Sequence, residues 1–500
     1  MTHKLPIRSR TDSIPGHGRQ FIADWCLIAL FAGLVYAPML NLAFWGDDTF
    51  LMKMAAGHSA FELLFRGPAR AVSQNNFMPL LGVTFFIDRL LFGLNFLGRN
   101  LHSLFWLAAA GGLAYQLFRR LGLHRRPALA GGITLVVSPA MVSVAGHYSN
   151  RHYLFGFAFA LLSLLLVLEW KENGRWGWLW SSVCFYFLAL CSKEVFAPLP
   201  VVAIHLLQPW QTRSRKAVMG FSAAFLLYLV LRWIMLGHLI GGYTRSVEWG
   251  TMAGYLIQSL PRLLQTVVWG GAAPGQISWI AVTCGTSVLA AVYILAAGSH
   301  GLRGVFYQTV LLGLSLCVVA LALYAPQIRY AHDPFYCHGD RLALPFSAAI
   351  WLSFWYLAGN VLATKKNSPM VTGLLAVLII GPLMYYGGLK ATDGWKKTKA
   401  TIDQAVYLNT HASQQCLVIG DPTWFLGHYA VVLKTVNPDT RLEVMDRPGH
   451  VQAYRPQENL PAIWLQPGAG VCTSRDPDQV RQWLKAFTSD YCRLFPQRCP

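Results

Sequence analysis

Residues 22–50 read IADWCLIALFAGLVYAPMLNLAFWGDDTF, and the rest of the chain takes its meaning from them. From 22 to 44 the run is apolar, broken by a charge only at Asp24. A helix of about 20 such residues spans the hydrocarbon core of a bilayer. Lys4, Arg8, Arg10 and Arg19 precede it, and no small-residue cleavage site follows. It is therefore expected to stay as a first crossing rather than to be removed as a signal peptide. Trp45, Gly46 and the paired carboxylates Asp47–Asp48 end it abruptly on the water side.

Similar runs recur outward from this one. The 500 residues are 54% hydrophobic and 13% charged, with a mean hydropathy of +0.40. Soluble domains carry about 25% charged residues, so a large soluble helical protein is excluded. Apolar spans are predicted at 22–44, 101–118, 127–144, 153–169, 177–191, 195–208, 217–236, 279–297, 305–324, 342–362 and 369–387. The expected class is an all-α polytopic membrane protein of about eleven transmembrane helices, with the N-terminus inside and the C-terminus outside.

A formal charge of +19 would suit a nucleic-acid binder, but its placement argues against one. Basic clusters at Arg119–Arg120 with Arg125–Arg126, at Arg213, Arg215 and Lys216, and at Lys365–Lys366 fall on every second connection. That is the positive-inside pattern, which orients helices. Segments 78–94 and 251–270 are apolar but carry Asp88–Arg89 and Pro261–Arg262. A charge at the bilayer centre costs about 2.5–3.5 kcal/mol, so both are expected to lie along the outer interface.

Three regions follow: a basic cytoplasmic N-terminus (1–21), a membrane domain (22–389) with its first outer loop at 45–100, and an extracytoplasmic α/β tail (390–500). In the tail, QQCLVIGD reads as a strand and DPDQVRQWLKAFTSDY as a helix with Asp476 at its N-cap. Cys416, Cys472, Cys492 and Cys499 suit disulfides in an oxidising compartment, with the pairing open. There is no C-x-x-C pair and no metal-ligand spacing. No cofactor is expected, and a divalent ion would have to be assembled from distant loops.

The acids of the membrane domain gather on the outer face: Asp47, Asp48, Glu62, Asp88, Glu194, Glu248, Asp333 and Asp340. Arg66, Arg70, Arg99, Arg151, Lys193, Arg245, Arg329 and Arg341 share it. A transporter would place ionisable groups nearer the midplane. The Asp47–Asp48 pair has two readings: a general base for a hydroxyl, or a cap on the helical TFLMKMAAGH that follows. Lys193–Glu194 reads as an anion site or an ion pair in a tight turn. Arg341 reads as a phosphate ligand or a snorkelling side chain. Arg151 with His147 and His152 makes a third polar cluster.

These segments, in this order, resemble the GT-C fold of polyprenyl-phosphate-sugar-dependent glycosyltransferases. The nearest likeness is to the membrane half of the transmembrane and tetratricopeptide-repeat-containing O-mannosyltransferases, the dolichyl-phosphate-mannose protein mannosyltransferases and their bacterial relatives. The resemblance covers most of 25–362. It rests on GDDTF, on Asn76-x-x-Pro79-Leu80 leading to FGLNFLGRNLHSL, on RRLGL, on SPAMVSVAGHYSNRHYLFG, on LALCSKE and on GDRLALPF. The chain departs from the family in lacking a tetratricopeptide tail, and in having Gly-Asp-Arg where Glu-Arg-Tyr is usual, which bears on Arg341.

The resemblance implies an inverting transfer from a polyprenyl-phosphate sugar to a glycan, lipid or protein hydroxyl, with membrane lipids around it and no nucleic acid. Asp47 or Asp48, with Asp48 preferred, would be the base. Arg151, Lys193 and Arg341 would hold the departing phosphate, supported by Glu194 and His147. Trp45 and Tyr243 would stack on sugar rings or anchor the interface. A small outer tail fits a bacterial inner membrane with a periplasmic site. The rival expectations are a lipid-glycan flippase and a non-catalytic polysaccharide-assembly subunit.

Overall fold

The computed structural model describes residues 17–40, 42, 47–66, 77–207, 212–237, 338–363, 368–411, 416–419, 433, 442–445, 462–466, 470–474 and 476–494. The spans expected at 279–297 and 305–324, and the interfacial segment 251–270, lie outside them.

Helix α1 (His17–Tyr36) runs into a 3-10 turn, Ala37–Met39, where Pro38 interrupts the α pattern. Among the described residues the first loop holds three helices: α2 (Asp47–Gly57), α3 (Ala60–Phe65) and α4 (Pro79–Phe92). A capping box starts α3, with the Ser59 hydroxyl accepting from the Glu62 N–H and the Glu62 carboxylate accepting from the Ser59 N–H. Helix α5 (Phe96–Arg120) is capped by the Asn95 side chain, which accepts from the Gly98 N–H. Then come α6 (Arg125–Val137), α7 (Pro139–Ala145), α8 (Arg151–Asn173), α9 (Trp176–Ser192), α10 (Leu199–Leu207), α11 (Thr212–Leu236), α12 (His338–Ala363) and α13 (Ser368–His411).

Among the described residues four helices are long and apolar enough to cross a membrane: Arg19–Met39, Tyr148–Asn173, Arg215–Leu236 and Pro369–Leu389. The span expected at 127–144 is not one straight helix. It is α6 and α7, bent by 51°. Pro139 has no N–H to donate and pushes Ser138 out of the helical region, to φ −64 and ψ 134. The short span expected at 195–208 is likewise a 3-10 turn, Glu194–Phe196, followed by the nine residues of α10. Helix α8 is buried along most of its length between α5 and α9, whereas α1, α11 and α13 turn Leu30, Leu34, Leu226, Trp233, Leu374 and Val377 outward. An apolar outer face around a packed centre is what lipid demands of an integral membrane protein.

Charge marks the two ends of the bundle. At one end Arg125 donates to both oxygens of the buried Asp24, at 2.7–3.1 Å, and the Tyr115 hydroxyl adds a bond at 2.6 Å. Arg120 pairs there with Glu169 and Glu172. The opposite end holds Asp48, Asp88, Arg151 and Lys193. Helix α12 runs antiparallel to α6 and α7: its Gly359 packs on Leu123 and Pro127, and the Trp355 indole donates to Thr134 at 2.9 Å. Its first turn, with Arg341, therefore lies at the Asp48 end.

Helix α13 has 44 residues. At 1.5 Å per residue it is about 66 Å long, twice a hydrocarbon core of about 30 Å. It passes unbroken through the 389/390 boundary drawn from composition. Beyond it β1 (Cys416–Ile419), β2 (Leu442–Met445), β3 (Ala462–Gln466) and β4 (Gly470–Ser474) form a sheet of order β2-β1-β3-β4, and α14 (Pro477–Leu494) follows. β1 pairs parallel with β2 and β3, while β3 and β4 are antiparallel. Cys416 on β1 and Cys472 on β4 are two strand spacings apart, about 9–10 Å. That exceeds the Cα separation of about 7 Å that a disulfide tolerates.

Small residues let the central helices meet. A Cβ on Gly132 of α6 would stand 2.9 Å from the backbone oxygen of Gly111 on α5, which no rotamer change relieves. Gly132→Ala is expected to lower stability by about 1–3 kcal/mol through overpacking. Gly33→Ala on α1, where nothing lies within 4 Å, is expected to cost nothing. Thermal unfolding of the two variants in detergent checks both.

Candidate active site

The site is assembled where the first loop meets the segment joining α7 to α8. Asp48 sits in the first turn of α2, yet its side chain is buried. Its Oδ1 accepts the backbone N–H of Ser149 at 2.7 Å, across 101 residues of sequence. Ser149 is the middle residue of a 3-10 turn, Tyr148–Asn150, that Arg151 closes as it opens α8. The Asp48 carboxylate is thus oriented by a backbone group. Asp47 is the adjoining residue of the same turn of α2, and its side chain lies outside the described residues.

Two further ties hold the loop entrance. The Asn100 amide donates to the carbonyls of Leu40 (2.9 Å) and Leu42 (3.1 Å), and the Tyr148 hydroxyl donates to Leu42 at 2.9 Å. The Tyr36 hydroxyl bridges to Ala145 O at 2.8 Å. A helix end buried in this way needs partners for its carbonyls, and Asn100 and Tyr148 supply them.

The turn carries its own polar side chains. His147 Nδ1 and Ser149 Oγ are 2.6 Å apart. His152 Nδ1 is 2.6 Å from the Ser149 carbonyl, so that nitrogen holds the proton. Arg151 does not reach outward. Its guanidinium donates to Ser103 Oγ (2.9 Å), to Asp88 Oδ2 (2.5 Å) and to the Arg99 carbonyl (3.1 Å), and it lies 5.4 Å from the centre of the Tyr148 ring. His102 completes the Asp88 site: its Nε2 accepts from Trp106, which leaves Nδ1–H to donate to Asp88 Oδ1 at 2.6 Å. Burial pushes the Asp88 carboxyl up, but Arg151 and His102 outweigh it and hold it below the ordinary carboxylate value.

Lys193 stands at the start of the turn after α9, buried, with its ammonium 3.3 Å from Glu194, 3.5 Å from Met78 Sδ and 6.0 Å from the centre of the Tyr153 ring. Burial raises the Glu194 carboxyl, and Lys193 and Arg232 more than reverse it, so it too titrates below its usual value. Arg341 is placed at this end by its backbone, and its side chain lies outside the described residues. Asp48, His147, Arg151 and Lys193 are thus brought to one end of the bundle. Among the described residues no group of three His, Cys, Asp or Glu side chains is spaced to hold a metal ion.

Asp88, His102 and Arg232 were not singled out as site residues from sequence. Asp88 is expected on the outer face beside Arg89; it lies at that end of the bundle, buried on the inner side of α4. One signal was available: a carboxylate in an otherwise apolar helix calls for a partner. Its partners, Arg151 and His102, are 63 and 14 residues away and no spacing rule names them.

No family model matches the sequence, and no curated protein matches it. Solved structures do match. ArnT from Cupriavidus metallidurans, crystallised bound to undecaprenyl phosphate, aligns with 95% of this chain and 96% of its own, with a TM-score of 0.53 at 12% identity. The oligosaccharyltransferase of Archaeoglobus fulgidus, solved with zinc and sulfate, aligns with 84% of this chain and 62% of its own, with a TM-score of 0.46 at 10% identity. The end-to-end match with ArnT shows that this chain has the GT-C fold.

Replacing Asn100 with Leu removes both bonds to the loop entrance: the Leu40 carbonyl loses this donor, while Leu42 keeps Tyr148. The expected loss is about 1–3 kcal/mol, the cost of a buried polar group left unsatisfied. Thermal stability of the detergent-solubilised variant reads it directly.

Proposed function

We propose that this protein is a membrane glycosyltransferase that moves a sugar from a polyprenyl-phosphate donor to an acceptor hydroxyl, with inversion at the anomeric carbon. The observation that carries the reading is Asp48: a buried carboxylate aimed by the Ser149 N–H, at the same end of a GT-C bundle as Lys193 and the first turn of α12. The undecaprenyl phosphate bound by ArnT supports the choice of donor class.

In this mechanism the acceptor oxygen attacks the anomeric carbon while Asp48 takes its proton. The bond from that carbon to the phosphate oxygen breaks, and its electron pair leaves with the polyprenyl phosphate. Lys193 and Arg341 neutralise the charge that develops there, the kind of electrostatic contribution that dominates many transfers. Glu194 holds Lys193 in place, and His147 steadies the turn through Ser149. Asp47 adjoins Asp48 in the same turn of α2. Arg151, bonded on all sides to protein, serves the site as its frame. The acceptor is a glycan, lipid or protein hydroxyl. The protein sits in a bacterial inner membrane with this end and the sheet-bearing tail in the periplasm.

Asp48→Asn keeps an oxygen for the Ser149 N–H and loses the base. It is expected to insert normally and to lower transfer by about 10²–10⁴-fold, the usual worth of general base catalysis; Asp47→Asn is expected to be impaired too. Mass spectrometry of surface glycans from a deletion strain carrying each variant makes the measurement. Full activity in both variants would sink the mechanism, and lipid-glycan translocation in liposomes without a new glycosidic bond would favour a flippase. For topology, alkaline phosphatase fused after residue 494 is expected to be active and the same enzyme fused after Arg120 inactive.

A further inference from the structure

The proposed transfer uses the carboxylates of Asp47, Asp48 and Glu194. Asp88 is left over. It is fully buried, and both its oxygens are taken, one by His102 and one by Arg151. The His102 proton is fixed on Nδ1 by the Trp106 bond to Nε2, so this contact does not depend on a charged imidazole.

The reach of this pair extends to the proposed base. Arg151 is the first residue of α8, directly after the Tyr148–Asn150 turn. Asp88 on α4, Ser103 on α5 and the Arg99 carbonyl fix three directions of its guanidinium. The guanidinium packs against the Tyr148 ring, and Tyr148 in turn grips the Leu42 carbonyl. With Arg151 held, the Ser149 N–H has one direction to point, and Asp48 lies along it.

We infer that Asp88, resting on the transferase reading above, is a positioning residue: through Arg151 it fixes the 148–150 turn whose Ser149 N–H orients the Asp48 carboxylate. Asp88 touches neither donor nor acceptor in this scheme. Its work is to keep Asp48 within reach of the acceptor proton, where a misplacement of about 1 Å can cost about 10²-fold in rate.

The test compares Asp88→Asn, Asp88→Glu and Arg151→Lys with the unaltered full-length protein. Three quantities are read: the amount inserted in the membrane, the affinity for undecaprenyl phosphate itself in detergent, and transfer per inserted molecule in the deletion strain. Asp88→Asn is expected to lose transfer by about 10²-fold with undecaprenyl phosphate affinity unchanged, and Asp88→Glu to regain part of it. A purely structural role would lower insertion and affinity together. Wild-type transfer by Asp88→Asn, or a loss of undecaprenyl phosphate affinity in step with transfer, overturns the inference. If Asp88→Asn fails to insert, Arg151→Lys decides: it keeps a cation for Asp88 but loses the bonds to Ser103 and Arg99, so lost transfer with intact affinity supports the role and full transfer refutes it. An unaltered protein that restores no glycan would instead bring down the transferase reading.

Discussion

Buried charge must be answered by buried charge, and in this molecule Asp88 and Arg151 answer each other at 2.5 Å with both side chains almost wholly out of solvent. Removing either partner would strand the other, at a cost of about 3–5 kcal/mol. The pair therefore fixes how α4 sits on α5 and α8. It also fixes the turn ahead of α8, and with it the direction in which Asp48 is held. Much of the polar end of the bundle follows from this contact.

The remainder of the bundle is held by other means. Lipid offers no hydrophobic drive to bring helices together, so close packing has to do it. Gly111 and Gly132 let α5 and α6 approach until backbone meets backbone, and Gly156 leaves room on α8 for the Phe196 ring. At the opposite end Asp24 ties α1 to α6 through Arg125 and to α5 through Tyr115. Polar clamps at both ends and small residues between them give a rigid frame. A rigid frame is what a site depending on the aim of a carboxylate requires.

In the proposed transfer, the two kinds of polar cluster divide the labour. Lys193 with Glu194 and Arg232 concentrates positive charge where an anion is proposed to leave. The Asp88–Arg151–His102 group is closed on itself and supports the turn. From sequence, Arg151 and Lys193 are both basic outer-face residues, and only their partners distinguish them. Arg151 and Lys193 lie at the same end, but three directions of the Arg151 guanidinium are spent on Ser103, Asp88 and Arg99, while the neighbours of Lys193 include the sulfur of Met78 and the ring of Tyr153.

The membrane class, the two charged ends and the location of Asp47–Asp48 beyond the first helix could be read from the chain alone. They depend on local quantities: the length of an apolar run, the position of a proline, the side on which Lys and Arg collect. The bend at Ser138 was equally local, since Pro139 announces it, though it was read as a straight span. The partners of Asp48 and Asp88 were out of reach. Ser149 and Arg151 lie 101 and 63 residues away, and no periodicity links positions so distant. Helix packing alone decides which buried carboxylate meets which donor.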